Sequence, residues 1–155
     1  MKKAKKYTTG FTLIELLVAI AVIGVLSAVV LSNLKSSRTT AADKTTISSL
    51  LNLQVQAEYY YDNVGVKSYC MPGGGCEANA LSLCQGRNMF RDIPIQNAII
   101  AALAPQGGGT AKCISSSQAY AVAIPLKLGM AWCVDSARKS KVITGTAQLT
   151  TASCP

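Results

Sequence analysis

The first long feature of the chain is an apolar run. Phe11 to Leu31 spans 21 residues and contains a single charge, that of Glu15. At a helical rise of about 1.5 Å per residue, the run would reach about 30 Å, the thickness of the hydrocarbon core of a bilayer. It is longer than the apolar region of a secretory signal peptide, and the domain left over is too small to surround a helix that is apolar on every side. We therefore predict a membrane-spanning helix over 11–34.

The helix is expected to continue beyond the apolar run. From Ser32 the sequence turns polar, and no proline occurs before Pro72, so nothing forces the helix to end. Apolar residues then recur at spacings of three and four: Ile47, Leu50, Leu51, Val55 and Tyr59. This pattern predicts an amphipathic half over 35–63. We interpret the apolar stripe as the face that packs against the rest of the domain.

Residues 64–155 have the pattern of a small mixed head. A Gly-rich loop precedes a candidate short helix over Glu77–Cys84, and a second helix is predicted over Pro94–Ala104, with Asp92 near its cap. Alternating apolar residues then predict three antiparallel strands, Ala119–Leu126, Met130–Asp135 and Lys141–Thr146, with LKLG as the first turn. The predicted fold class is therefore α+β, with a long helix covered by a small antiparallel sheet.

Charge is concentrated at the N-terminus. The net charge of +8 comes from 15 Lys and Arg against 7 Asp and Glu, and Lys2, Lys3, Lys5 and Lys6 supply four of those positive charges. Their position before the apolar run favours a cytoplasmic N-terminus. The densest basic cluster of the head is Arg138, Lys139 and Lys141. It is a candidate contact for DNA or another anion, although such a run is usually a solvated turn.

The residue types present argue against catalysis. The chain contains no His, which excludes His-based catalytic triads and His-containing zinc sites. The acidic residues of the head do not fall at the spacing of a paired acid and base. We interpret Asp135 as a turn residue rather than a cation ligand, because no calcium-loop cluster surrounds it. We therefore expect no enzyme activity, no cofactor and no metal site.

The six cysteines all follow the apolar run: Cys70, Cys76, Cys84, Cys113, Cys133 and Cys154. Their spacings lack the paired CxxC arrangement of zinc sites, so disulfides in an oxidising compartment are favoured over a metal. Adjacency on the predicted strands favours pairing Cys133 with either Cys113 or Cys154. Closure of the segment 70–84 on itself, through its Gly-rich loop, is a further alternative that the sequence leaves open.

Glu15 is the one residue of the apolar run that needs a partner. An acidic side chain at the centre of a bilayer costs about 2.5 to 3.5 kcal/mol, and less toward the edge. No basic residue lies within helical reach inside the run. Cleavage between Gly10 and Phe11 would create an ammonium group at the edge of the same region. That group could not easily reach its own Glu15 without bending the first turn, whereas a neighbouring copy shifted by about one turn could offer its ammonium.

The stretch KKYTTGFTLIELLVAI resembles the N-terminus of type IV prepilins and pseudopilins. A short basic leader, Gly10, Phe11, Glu15 at the fifth place after the leader and a long apolar run coincide, and the resemblance covers roughly residues 1–35. It implies that a membrane-embedded prepilin peptidase removes residues 1–10 and methylates the new N-terminus at Phe11. It also implies that Glu15 guides insertion of the subunit into a helical filament.

The resemblance extends to fold, role and location. It implies a type IV pilin fold in which Cys133 and Cys154 bracket a C-terminal loop. The implied function is a structural subunit of a pilus or related filament for adhesion, twitching motility or DNA uptake. The alternative is a minor pilin, or a secretion or competence pseudopilin, whose head binds a ligand such as DNA. Partners would be other copies of the chain, the peptidase and the pilus assembly machinery. The subunit would cross the cytoplasmic membrane once before assembly and lie in an extracellular filament afterwards.

Overall fold

A computed structural model describes residues 10–73, 76, 84 and 86–155. The helices are α1 (Leu13–Asn63) and α2 (Ile93–Leu103), and the strands are β1 (Lys112–Ser115), β2 (Tyr120–Pro125), β3 (Ala131–Asp135) and β4 (Ser140–Ile143). This layout confirms the predicted α+β class. The chain divides into two compact units, residues 1–38 and 39–155. Residues 1–9 of the expected leader, and all of the candidate helix Glu77–Cys84 except Cys84, lie outside the described residues.

The first unit contains the apolar part of α1. Its large apolar side chains are exposed from Phe11 to Leu31, with 81% of Leu13 and 68% of Val25 accessible. Among the described residues, α1 alone is long and apolar enough to cross a membrane, judged by length and composition. Such a surface is costly in water, so this segment requires lipid or other protein around it.

The second half of α1 is buried along a different face from the predicted one. The residues that face the core are Thr46, Leu50, Leu53, Ala57 and Tyr60. Of the predicted stripe, Leu50 is fully buried, whereas Leu51, Val55 and Tyr59 are exposed and that part of the prediction is wrong. The buried face contains a threonine and an alanine, so its pattern of large apolar residues is weaker in the sequence than that of the exposed face. The Thr46 hydroxyl is satisfied there, since it donates to the Ala102 carbonyl at 2.7 Å.

The four strands form an antiparallel meander in the order β1-β2-β3-β4. The predicted turn between β2 and β3 is present, with the Gly129 amide donating to the Leu126 carbonyl and a positive φ of 79° that suits glycine. Strand β1 was not predicted, because four residues between a Gly-rich and a Ser-rich stretch carry little pattern. Strand β4 ends at Ile143 rather than Thr146, where a 3-10 turn (Thr146–Gln148) begins.

Both faces of the sheet are covered. One face packs on α1 and α2 through Tyr120, Val122, Ile124 and Val134, as expected for strands that cover the long helix. The other face carries small residues, among them Ala121 and Ala123, and packs under Leu149 and Cys154 of the C-terminal segment. The last residues of the chain therefore complete a second, smaller core.

The cysteines pair as Cys70–Cys76, Cys84–Cys113 and Cys133–Cys154. Cys133 pairs with Cys154 rather than with Cys113 because Cys113 belongs to the core on the helix side of the sheet, whereas Cys133 belongs to the core on the opposite side. The segment 70–84 closes on itself only through Cys76, since Cys84 reaches β1. Cys84–Cys113 and Cys133–Cys154 each join a strand to a distant segment, whereas Cys70–Cys76 closes a short loop, and all three limit the freedom of the unfolded chain.

Candidate assembly site

The start of α1 holds Glu15 by a reciprocal cap. The Thr12 amide donates to Glu15 Oε2 at 2.9 Å, and the Thr12 hydroxyl donates to the same oxygen at 2.7 Å. The Glu15 amide in turn donates to Thr12 Oγ1, at 3.4 Å. This is the capping-box arrangement, in which Thr precedes the helix and Glu stands three residues later. Sequence reasoning missed Thr12 as a partner of Glu15, although the pattern TLIE carries that signal.

The cap leaves part of the carboxylate available. Both Thr12 hydrogen bonds go to Oε2, and Oε1 accepts none from residues 10–73, 76, 84 or 86–155. Glu15 itself is exposed. A carboxylate oxygen can accept further hydrogen bonds, and a bond from an ammonium group is about twice as strong as a neutral one. The geometry therefore places an acceptor for an external cation at the start of the apolar segment.

Gly10 and Phe11 precede this cap and are open to solvent. Phe11 is 88% exposed, and a Cβ added at Gly10 would meet no atom within 4 Å. The fold thus gives no steric reason for glycine at position 10. An enzyme that recognises this segment could reach the peptide bond between the two residues.

The basic cluster lies on the hairpin between β3 and β4. Arg138 adopts a positive φ of 61° in the turn, and the side chains of Arg138, Lys139 and Lys141 are exposed. The fold uses the backbone of Lys139: its amide donates to Asp135 Oδ1 at 3.0 Å, and its carbonyl accepts from Gln54 Nε2 at 3.3 Å. The structure brings the three cations onto one hairpin and leaves their charged ends in solvent.

Asp135 organises that hairpin and the C-terminus together. It is 1% exposed, and its Oδ1 accepts from the amides of Ala137 and Lys139, both at 3.0 Å. Its Oδ2 accepts from the buried Cys154 amide at 2.9 Å. Three N–H donors therefore bind the carboxylate, which makes Asp135 a turn residue, as the sequence predicts.

Comparison with known proteins identifies a motif at the N-terminal site and a similar pilus protein. Residues 5–31 match the family described as the prokaryotic N-terminal methylation motif. The chain is also 45% identical over 65 residues to the type IV wide pilus major component PilA4 of Thermus thermophilus. That alignment covers 41% of this chain and 46% of the Thermus protein, so the chain spans less than half the length of the relative it matches.

No solved structure matches the chain. The architecture, a long N-terminal helix followed by a small antiparallel sheet, is consistent with the pilin layout. The methylation motif, the pilin relative and this architecture agree with one another. The N-terminal segment therefore carries the prepilin-type methylation motif, and the chain is similar to a type IV pilin over 65 residues.

Proposed function

We propose that the protein is a structural subunit of a type IV pilus or related filament and assembles through α1 after cleavage between Gly10 and Phe11. The observation that carries the proposal is the pairing of an exposed apolar helix with a capped carboxylate whose Oε1 is open. In a filament the apolar segment would be covered by the helices of other copies. Adhesion, twitching motility and DNA uptake are the uses that such a filament would serve.

Assembly then has a defined electrostatic step. Leader removal creates an ammonium group at Phe11, and methylation of that nitrogen leaves it protonated at neutral pH. The ammonium of one copy donates to Glu15 Oε1 of its neighbour, while Thr12 continues to hold Oε2. Because lipid and a helix bundle are similarly apolar, the gain on assembly comes from packing and from this pairing rather than from dehydration.

The location follows from the same proposal. Before assembly the subunit crosses the cytoplasmic membrane once, with its N-terminus in the cytoplasm, where the basic residues stay. The head then lies outside, in a compartment where the three disulfides persist. Prepilin peptidase and the pilus assembly machinery are the expected partners, and no catalytic role is proposed for the chain itself.

Mass spectrometry of the cell-derived protein tests the proposal directly. We expect the mature chain to begin at Phe11 with one added methyl group and to be abundant in filaments sheared from the cells. A cell-derived protein that still begins at Met1 would contradict the proposal. A processed chain that is absent from sheared filaments would also contradict it.

Gly10→Glu is expected to block leader removal. Since a side chain at position 10 meets no atom of the fold, the head should form its three disulfides and the protein should reach the membrane as usual. The unprocessed chain should accumulate, with sheared filaments reduced by about ten-fold or more, because the leader prevents formation of the pairing ammonium. Intact mass distinguishes the two forms, and Gly24→Ala, at another open position in α1, is the control.

Thr12→Val tests the cap on Glu15. Valine keeps the shape of threonine and the backbone amide but removes the hydroxyl that donates to Glu15 Oε2. Loss of one charge-assisted hydrogen bond, about 1.5 kcal/mol, should lower filament yield by about ten-fold. Thr12→Ser should restore the yield. If valine assembled as well as threonine, the hydroxyl would have no part in positioning the carboxylate.

A second candidate function rests on the basic hairpin. A minor pilin or pseudopilin whose head binds DNA would use Arg138, Lys139 and Lys141, which are exposed together. Such binding should weaken steeply with salt, by about one unit of slope in a log–log plot for each phosphate contact. Replacement of the three cations by glutamine should lower both the affinity and the slope. Unchanged binding in the variant would exclude this hairpin as the DNA contact.

A further inference from the structure

The outward face of the second half of α1 carries an apolar surface that the head does not cover. Leu51, Val55 and Tyr59, which we call the outer stripe, stand at successive four-residue spacings with 43%, 65% and 62% of their surfaces exposed. Residues at this spacing share one face of a helix. The outer stripe is the part of the predicted core face that the fold leaves in solvent.

A cavity of about 290 Å³ adjoins the outer stripe. Its apolar wall is formed by Leu51 and Val55, and its polar lining comes from Gln54, Glu58, Tyr120 and Arg138. The residues come from α1, from β2 and from the turn before β4. The cavity is therefore open on the helix side of the head and not part of the sealed core.

Tyr120 is the unsatisfied group of this cavity. The side chain is fully buried, and its hydroxyl makes no hydrogen bond within the part of the chain that the structure describes. Burial, together with the neighbouring Tyr69 and Glu58, raises the pKa of Tyr120, so the hydroxyl stays protonated and remains a donor. A buried hydroxyl without a partner costs stability, and a shift of the cavity lining that let an acceptor reach it would remove that cost.

The other polar groups add both donors and acceptors. Arg138 forms no ion pair with any described residue, so its guanidinium is a second donor. Glu58 accepts from the Tyr69 hydroxyl through Oε1 at 2.8 Å, which leaves its second oxygen as an acceptor. Gln54 uses its amide nitrogen on the carbonyls of Asp135 and Lys139 and keeps its amide oxygen.

This combination matches a peptide better than an anion. A phosphate would meet Arg138 and Tyr120 but would also face the carboxylate of Glu58, and the two formal charges of the lining cancel. A peptide segment with an apolar side chain offers a carbonyl to the donors, an N–H to the acceptors and a hydrocarbon surface to Leu51 and Val55. The hydrocarbon surface of Leu51 and Val55 continues along the outer stripe to Tyr59, which adds an exposed aromatic ring and a hydroxyl group.

We propose that the outer stripe and this cavity form a docking surface for the head of a second copy of this chain. The proposal rests on the proposed function. Leu51 and Val55 follow the apolar assembly segment along the same helix α1, so a filament that gathers α1 helices brings other copies to this face. A contact between two different surfaces of identical chains repeats along an open helical array, as a filament requires.

Photo-crosslinking in the full-length protein tests the occupant. p-Benzoylphenylalanine is placed at Tyr59 in one variant and at Ile100, which is 57% exposed on α2, in a control variant. Irradiation of sheared filaments should give multimers of this chain in the Tyr59 variant, with a yield about five-fold or more above the control. Mass spectrometry should place the crosslink between residue 59 of one copy and the head of another.

A charge placed on the surface gives an independent readout. Val55→Arg should reduce filament yield by about ten-fold or more, whereas Ile100→Arg should change it by less than about two-fold, because a bulky charged side chain opposes docking at only the first site. Processing at Gly10 and the three disulfides should be unchanged in both variants, which shows that the head still folds.

The outcomes separate the two proposals. Filaments that form in the parent, with no excess of multimers at position 59 or with crosslinks solely to a different protein, would overturn the docking surface alone. Equal loss of filaments in Val55→Arg and Ile100→Arg would also overturn it. A parent chain that is never processed or never found in filaments would overturn the proposed function, and the docking surface with it.

Discussion

Glu15→Ala is expected to abolish filament formation while leaving leader removal and membrane insertion intact. The alanine removes the acceptor for the ammonium of the neighbouring copy, so each subunit would bury an unpaired cation at the edge of the helix bundle. Leaving a charge unpaired costs about 2.5 to 3.5 kcal/mol at the centre of a bilayer and less at the edge, so the affinity of one subunit for the next should fall by up to about one hundred-fold. The measurement is the amount of sheared filament relative to the processed subunit in the membrane.

Two further variants separate charge from helix capping. Glu15→Gln keeps an oxygen that can accept from the Thr12 amide and hydroxyl, but it removes the negative charge, so we expect nearly the same defect as with alanine. Asp62→Asn neutralises another acidic residue of α1, one that pairs with Lys67 near the end of the helix, and should assemble normally. If Glu15→Gln polymerised as readily as the parent, the carboxylate would act only through the cap, and the intermolecular pairing would be wrong.

The long helix and the fold class were predictable because they depend on strong local patterns. An uninterrupted apolar run and the absence of proline before Pro72 fix the helix, and alternating residues such as Val122 and Ile124 fix the central strand. The local pattern gave wrong predictions where tertiary contacts determine which residues are buried. The buried face of α1 contains Thr46 and Ala57, whose burial depends on the partners that α2 and the sheet provide. The three large residues of the outer stripe gave the stronger periodic signal and are exposed.

Features that depend on contacts between distant segments of the chain could not be predicted from the local sequence pattern either. The second core, under Leu149 and Cys154, requires the C-terminus to return across the sheet. The spacing of apolar residues does not predict such a return. The pairing of Cys84 with Cys113 depends on which side of β1 faces the helix. At the candidate site, by contrast, Gly10, Phe11 and Glu15 are adjacent in sequence, so a motif could identify them. Their roles in cleavage, methylation and assembly remain predictions.

Asp135→Ala is expected to cause the largest loss of stability in the head. The change removes the acceptor of three backbone N–H groups, and that of Cys154 is buried where water cannot replace the carboxylate. Leaving a buried donor unsatisfied costs about 1 to 3 kcal/mol, and the two turn bonds add to this, so we expect a loss of about 3 kcal/mol in the free energy of unfolding. For a chain of this size the loss lowers the midpoint of thermal unfolding by about 10 °C.

Trp132 provides the probe for that measurement, because it is the single tryptophan and lies on β3 three residues before Asp135. Its fluorescence in detergent-solubilised full-length protein reports unfolding of the head without a contribution from the apolar segment. Asp92→Ala is the matched control, since Asp92 makes no side-chain hydrogen bond at the start of α2 and its loss should cost less than about 1 kcal/mol. Asp135→Asn should fall between the two, because an amide can accept from only one side of this three-donor site. An equal midpoint for Asp135→Ala and Asp92→Ala would mean that the hairpin and the C-terminus are held by the Cys133–Cys154 bridge alone.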